Sequence, residues 1–271
     1  MKFLLLWILA MSANLLAYND SDLDGVEDAV DRCPDTLITD LVNDQGCTIT
    51  SLKNEHHFDI LLGAGYSQMN YASNEKADTI TSSLQADYYY KNFSAQFSSS
   101  HYSSKSQTVS DSGLNDTLIA AYYRFPSDNR FTVKIGGGVL LPTYDSGYHN
   151  EAADYLGSIH FTYALDDLKS SLIGGYSYTA VNDDDIAGIV NYQNINAYYI
   201  GGNYLLNEKL SVGATYNHSD SLYRDVETIR KVSAYGMVRL NTHWFANIGY
   251  SYGLSDSAGD HGADLRIGYY F

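Results

Sequence analysis

From about residue 57 to residue 271 the chain sustains no helical periodicity; it repeats one phrase, roughly ten residues of alternating apolar and polar or small character followed by a polar connection. Alternation with period two places successive side chains on opposite faces, which is the signature of a β-strand. In residues 209–217, Leu210, Val212, Ala214 and Tyr216 share one face while Ser211, Gly213, Thr215 and Asn217 share the other. Trp244, Ala246, Ile248, Tyr250 and Tyr252 alternate in the same way with Phe245, Asn247, Gly249 and Ser251. Twelve such segments are legible, near residues 57–69, 79–91, 92–104, 114–125, 131–142, 154–165, 168–180, 193–206, 209–219, 228–241, 243–254 and 261–271.

The connections alternate as well. Those at 91–92, 126–130, 166–167, 207–208 and 241–242 are tight, whereas those at 70–78, 105–113, 143–153, 181–192, 220–227 and 255–260 are longer. An even number of strands with short turns on one rim and long loops on the other predicts an all-β fold, a twelve-stranded antiparallel transmembrane barrel over residues 51–271. Closure follows from the solvent, because an unpaired backbone donor or acceptor in hydrocarbon costs several kcal/mol and a barrel has no edge. The 215 residues available allow about eighteen per strand and connection, enough for the roughly 9–11 residues that a tilted strand needs. A mean hydropathy of -0.25 is too polar for a bundle of membrane helices. The 26 tyrosines also find a place. Tyr66, Tyr90, Phe93, Tyr123, Phe125, Phe131, Tyr155, Tyr163, Tyr178, Tyr204, Tyr216, Trp244, Tyr252 and Phe271 fall near strand ends, where amphipathic rings prefer the headgroup level.

Residues 1–17 combine a basic Lys2, an apolar core from Phe3 to Met11 and small residues around Ala17, the layout of a secretory signal peptide. Export makes Cys33 and Cys47 read as a disulfide rather than a metal pair. The last segment sets Leu265, Ile267, Tyr269 and Phe271 on one face and ends in Phe. It resembles the terminal signal read by the bacterial barrel-assembly machinery and so implies a bacterial outer membrane, whose lipid bilayer is then the barrel's immediate partner. A formal charge of -16 argues against a nucleic-acid partner, since no basic field exists to displace counterions from phosphates.

Residues 18–50 carry nine acids against one base, Arg32. Asp20, Asp22, Asp24, Asp28 and Asp31 stand at positions 1, 3, 5, 9 and 12 of a loop with Gly25 at position 6 and the Val26 carbonyl at position 7. A hard cation such as Ca2+ takes six or more oxygen ligands, and alternate carboxylates around a glycine turn supply them. The competing reading is a solvated acidic linker. The stretch DSDLDGVEDAVDRCPDT, with VNDQGC ending at Cys47, resembles the thrombospondin type 3 repeat. That likeness implies a calcium-stiffened, disulfide-closed spacer in the periplasm.

Assigning the polar strand faces inward puts Asp59, Asp87, Asp116, Arg124, Lys134, His160, Lys231, Arg239, Asp264 and Arg266 in the lumen. Mixed signs suit either a ladder of ion pairs that fills the barrel or a constricted aqueous path. Ser112-Gly113-Leu114-Asn115-Asp116, the strand end Tyr123-Arg124-Phe125, Gly136-Gly137-Gly138-Val139-Leu140-Leu141-Pro142-Thr143 and Gly174-Gly175-Tyr176-Ser177-Tyr178 follow one another. This order resembles the outer-membrane channels associated with the meta-pathway of phenol degradation, with Asn115 and Tyr144 in place of glycines. The likeness implies a twelve-stranded, porin-like channel for passive transport of small, aromatic or apolar molecules.

Two other readings compete. In one, the barrel is a non-conducting anchor or interaction protein. In the other it is a lipid hydrolase, because His101, His160, His218 and His243 each have a serine nearby and Asn217-His218-Ser219-Asp220 sits at a loop mouth. A working dyad needs an orienting third group, and the His-x-Ser-Asn-Gly type of motif is missing, so the expectation is a protein that is not an enzyme. The adjacent His56-His57 pair reads as an interfacial turn rather than a metal site. Monomeric and homo-oligomeric barrels fit the pattern equally well.

Overall fold

The computed structural model describes residues 26, 31–33, 42, 45–47, 56–70, 76–125, 130–144, 151–165 and 169–271. The chain divides into two compact units, Met1–Asn54 and Glu55–Phe271. In the first, Cys33 and Cys47 form a disulfide with Cα atoms 4.9 Å apart. The Arg32 amide donates to the Gln45 carbonyl at 2.9 Å beside it.

The second unit is a single sheet that closes on itself. Its strands are β1 (His56–Asn70), β2 (Lys76–Tyr90), β3 (Phe93–Lys105), β4 (Ser110–Leu114), β5 (Thr117–Phe125), β6 (Phe131–Leu141), β7 (Asp154–Ala164), β8 (Ser170–Ala180), β9 (Ile195–Asn207), β10 (Leu210–Ser219), β11 (Ile229–Arg239), β12 (Trp244–Gly253) and β13 (His261–Tyr270). Sequence neighbours pair antiparallel, and β13 returns to β1 in register from Asp59↔Tyr270 to Gln68↔His261. The Phe271 amide, donating to the Phe58 carbonyl at 2.9 Å, finishes the seam.

Thirteen segments make twelve staves, because β4 and β5 both pair with β3. The register shifts by one residue between His101↔Leu114 and Ser98↔Leu118, so Asn115 and Asp116 form a bulge, a device that bends one strand and re-aims its side chains. The β3–β4 hairpin also runs further than the alternation suggests. It leaves a turn at residues 106–109 where the sequence reads as a long loop over 105–113. At the opposite rim Tyr90 pairs with Phe93 around a two-residue turn in which Lys91 adopts a φ of 52°, the left-handed geometry that tight hairpins call for.

The two faces of the sheet have opposite solvents. Outward positions carry large apolar side chains with nothing over them: Leu62 is 62% exposed, Ile80 62% and Ile248 63%. A band of that size is untenable in water and natural in hydrocarbon. Aromatic rings collar it. Phe93, Tyr123, Phe125, Phe131, Tyr163, Tyr204, Trp244 and Phe271 stand near the short-turn rim, and Tyr66, Tyr155, Tyr178 and Tyr252 near the long-loop rim, all exposed. Edge contacts lock neighbours together, with Trp244–Tyr269 centroids 4.9 Å apart and Tyr269–Phe271 4.7 Å.

The inside is not a packed core. Among the described residues the buried apolar side chains are Leu61, Tyr102, Ala120, Tyr192 and Ala258, and no large side chain is fully enclosed. Most inward positions keep partial exposure. Twelve strands make a cylinder wider than the eight-stranded kind that its own side chains can fill. Replacing Ile248, in mid-strand on the outer face, by Arg is expected to lower the unfolding free energy in lipid by roughly 2–4 kcal/mol. Lys231→Ala on the inner face is expected to change it by under about 0.5 kcal/mol. Denaturant titration in phospholipid vesicles measures both, and equal costs on the two faces would contradict the assignment.

Candidate functional site

The inner wall collects the charged residues in two places near the short-turn rim. Asp59 and Asp87 are direct register partners on β1 and β2. Arg124, Lys134 and His160 are successive partners across β5, β6 and β7. Each group is held by neutral neighbours as much as by countercharge. Gln85 donates through Nε2 to Asp87 Oδ2 at 2.6 Å, while Tyr89 is the neutral neighbour of the Asp59 carboxylate, whose enclosed Oδ1 itself accepts no hydrogen bond. Lys134 Nζ stands 4.6 Å above the Tyr122 ring, a cation–π contact, and the Tyr122 hydroxyl donates to Gln96 Oε1 at 3.1 Å. His160 meets the Tyr199 hydroxyl through Nδ1 and Ser158 Oγ through Nε2, both at 3.1 Å.

On β13, the neighbour of β1, Asp264 and Arg266 lie two apart and pair at 3.3 Å. Lys231 and Arg239 share the inward parity of β11 with Tyr235. Both charge signs therefore line the inner wall, with no ring of a single sign among the described residues.

Tyrosine is the feature that sequence reasoning missed inside the barrel. Tyr89, Tyr102, Tyr122, Tyr199, Tyr235 and Tyr270 take inward parity with the residues named above. The available signal was parity alone: Tyr89 stands two after Asp87, Tyr122 two before Arg124 and Tyr270 four after Arg266. A tyrosine reads equally well as an interfacial ring, and its type does not say which face it serves.

The described residues at the long-loop mouth are cross-linked by hydrogen bonds. Asp116 sits in the bulge between β4 and β5, not on a strand as the alternation places it, and its Oδ1 accepts the Tyr144 amide at 3.1 Å. The bulge is what frees it to do so. Thr143 Oγ1 donates to the Asn115 carbonyl at 2.6 Å, and the Tyr144 ring lies 5.6 Å from that of Tyr102 on the inner wall. Residues 143 and 144, just after β6, are thus strapped to the bulge and to the β3 wall at the rim. Asp111 accepts the Tyr102 hydroxyl at 2.7 Å, and buried Asp154 accepts the Asn182 amide at 2.8 Å.

Beyond these, the loop between β8 and β9 is cross-braced to the loop between β10 and β11. The Gln193 amide donates to Leu222 O at 3.0 Å, and the Arg224 guanidinium reaches Tyr192 O at 2.9 Å and Asp185 at 3.5 Å. Burial, with Asp183 nearby, pushes the Tyr192 hydroxyl above the usual phenol range. A cavity of about 590 Å³ opens here, lined by Asp183, Asp184, Asp185, Tyr192, Gln193 and Arg224 among others.

In the first unit, Asp31 Oδ1 accepts the Cys33 amide at 2.8 Å. Asp20, Asp22, Asp24 and Asp28 lie outside the described residues.

No protein-family model and no curated protein matches this chain. Solved structures do. An outer membrane channel from Pseudomonas putida F1 superposes with a TM-score of 0.64 at 10% identity, over 80% of this chain and 95% of that one. The NanC porin gives a TM-score of 0.52 at 15% identity, over 78% and 98%. At such identities the likeness is one of fold, and it establishes the closed antiparallel barrel.

Asp116→Ala removes the acceptor that holds Tyr144, a loss of roughly 1.4 kcal/mol or about ten-fold in local opening. Chymotryptic cleavage beside Tyr144 in the folded barrel is expected to quicken by about that factor. Asp116→Asn keeps an acceptor and is expected to stay protected; unchanged cleavage in the alanine variant would remove the strap from the account.

Proposed function

We propose that the chain is a bacterial outer-membrane channel through which small molecules pass passively, with its N-terminal module on the periplasmic side. The observation that carries this reading is the wetted inner wall. A twelve-stave cylinder whose inward side chains keep partial exposure, and whose wall presents both charge signs and tyrosine hydroxyls, has the interior of a pore. The apolar band and its aromatic collars match a bilayer, and the short-turn rim carries both barrel termini, as in barrels inserted from the periplasm. The fold is shared with an outer membrane channel and a porin. The terminal Leu265, Ile267, Tyr269 and Phe271 are what the assembly machinery would engage. The backbone N–H groups flanking Ser158 and His160 belong to the sheet ladder, so no pair of amide donors is turned toward a reacting carbonyl there.

Passage needs no energy source in this reading. A solute exchanges part of its hydration for hydroxyls, amides and paired charges along the wall, and the field at the Asp264–Arg266 pair sorts ions. The family resemblance extends this to small aromatic or apolar solutes.

For the N-terminal module we infer a calcium-stiffened, disulfide-closed spacer. Asp20, Asp22, Asp24, Asp28 and Asp31 with the Val26 carbonyl form an all-oxygen donor set suited to a hard divalent ion. The Cys33 amide, by fixing the Asp31 carboxylate, supports a ligand in the way outer hydrogen bonds do. The ion would supply stiffness rather than chemistry.

Reconstituted in planar bilayers, the protein is expected to give discrete, small single-channel steps, and Asp264→Ala or Arg266→Ala to change their ion preference. A permanently silent bilayer would instead favour the anchor. For the module, Asp22→Ala with Asp24→Ala is expected to abolish calcium-dependent protection from proteolysis between residues 18 and 51. Identical cleavage of the wild-type chain with calcium and with chelator would remove the calcium assignment.

A further inference from the structure

Large and small inward residues alternate strand by strand around much of the bore. Tyr122 on β5 is the register partner of Gly136 on β6. His160 on β7 and Tyr199 on β9 are the two partners of Gly175 on β8, and Tyr235 on β11 faces Gly213 on β10. In every case the large side chain already occupies the space that a Cβ on the glycine would need. At Gly175 such an atom would fall 2.5 Å from Tyr199 Cε1 and 2.8 Å from His160 Nδ1. That empty site is what lets Nδ1 of His160 and the Tyr199 hydroxyl meet at 3.1 Å across β8. At Gly213 it would overlap the far end of the Tyr235 ring, Cζ and Oη, and at Gly136 the ring of Tyr122. A ring resting over a neighbouring glycine is folded along the wall, with its bulk withdrawn from the axis. A ring denied that place must move off the wall; for Tyr235 the place over its other partner, Gly249, is taken by the Asp264 carboxylate, which leaves the lumen.

We propose that Gly136, Gly175 and Gly213 are seats that fix the width of the pore, so that the size limit for solutes is set by methyl groups the wall lacks. The proposal rests on the channel reading above and adds to it the residues that determine which solutes fit. Cross-strand pairing of large with small inner residues is a general way to fit a barrel's interior. What is specific here is that the pairs recur on successive staves, and that at Gly213 the obstructing atoms are the far end of a side chain, Cζ and Oη of Tyr235.

The test uses the full chain in planar bilayers and in liposomes loaded for uptake of neutral solutes of graded size. Gly213→Ala is expected to lower single-channel conductance about two-fold, in proportion to the narrowed path, and to lower the uptake cut-off with it. Gly213→Ala with Tyr235→Ala is expected to restore both to the wild-type level or above, and Tyr235→Ala alone to raise them. Gly65→Ala serves as the control. It faces inward, but an added Cβ there would meet nothing closer than 3.5 Å, so its conductance should match the wild type.

A properly folded Gly213→Ala channel with wild-type conductance, or a double variant that fails to recover, overturns the seat. Should Gly213→Ala fail to fold, an unchanged conductance and cut-off in Tyr235→Ala overturns it equally. A wild-type chain silent in every bilayer removes the channel reading itself and the seat with it, and that outcome is distinct from a conducting wild type with an indifferent glycine.

Discussion

A peptide N–H or C=O facing hydrocarbon has no water to bond, and a β-strand can satisfy it only with another strand. The remaining architecture is arranged around that demand. The sheet cannot stop, so β13 returns to β1 in continuous register and the Phe271 amide carries the pairing to the last residue. Strands must be even in number for up-and-down neighbours to close antiparallel, and the short β4 is absorbed with β5 into one stave rather than counted as a thirteenth. Closure in turn separates two solvents on a period of two. Side chains such as Leu62 and Ile248 face lipid, and their chain neighbours Gly63 and Asn247 face the bore.

The division gives each face its own economy of side chains. Outside, large apolar residues need no partner because lipid is the partner. Inside, the problem is to hold charge and aromatic bulk against a wall without closing the path. Countercharge does part of this, in the Asp264–Arg266 pair. Hydrogen bonds with neutral groups do more: Gln85 donates to Asp87, Gln96 accepts from Tyr122, and Tyr199 meets His160. The cation–π contact of Lys134 with Tyr122 keeps a positive charge close to the strand that bears it. At the long-loop mouth the same chemistry becomes bracing, where Asp116, Asp154 and Asp185 hold loop amides. At these three places one carboxylate both lends the mouth acidic character and fixes loop backbone.

Much of this was legible in the amino-acid sequence, for a definite reason. Within the bilayer the alternation of apolar and polar residues is enforced by solvent, so all twelve staves could be read from segments such as 243–254. Where strands rise out of the lipid the enforcement ends. The polar run 105–113 hides the upper β3–β4 hairpin because neither of its faces there must be apolar. The bulge at Asn115–Asp116 has no compositional mark, and the strap it supports depends on Thr143 and Tyr144, distant in sequence. Tyrosine defeated assignment by type, since Tyr88 and Tyr90 face outward while Tyr89 between them faces the bore. The glycine seats were visible only as a surplus of glycine; their pairing with rings needed the register.

The central claim is one closed sheet, apolar outside and wet within. Single cysteines along β12, reacted in lipid vesicles with a membrane-impermeant thiol reagent, test it most directly, the native Cys33–Cys47 pair being closed to the reagent as a disulfide. Cysteine in place of Asn247 or Ser251 should react through water in the bore, and cysteine in place of Ala246, Ile248 or Tyr250 should be shielded by lipid. Labelling that runs evenly along the strand, or that spares the Asn247 and Ser251 positions as fully as their neighbours, would contradict it.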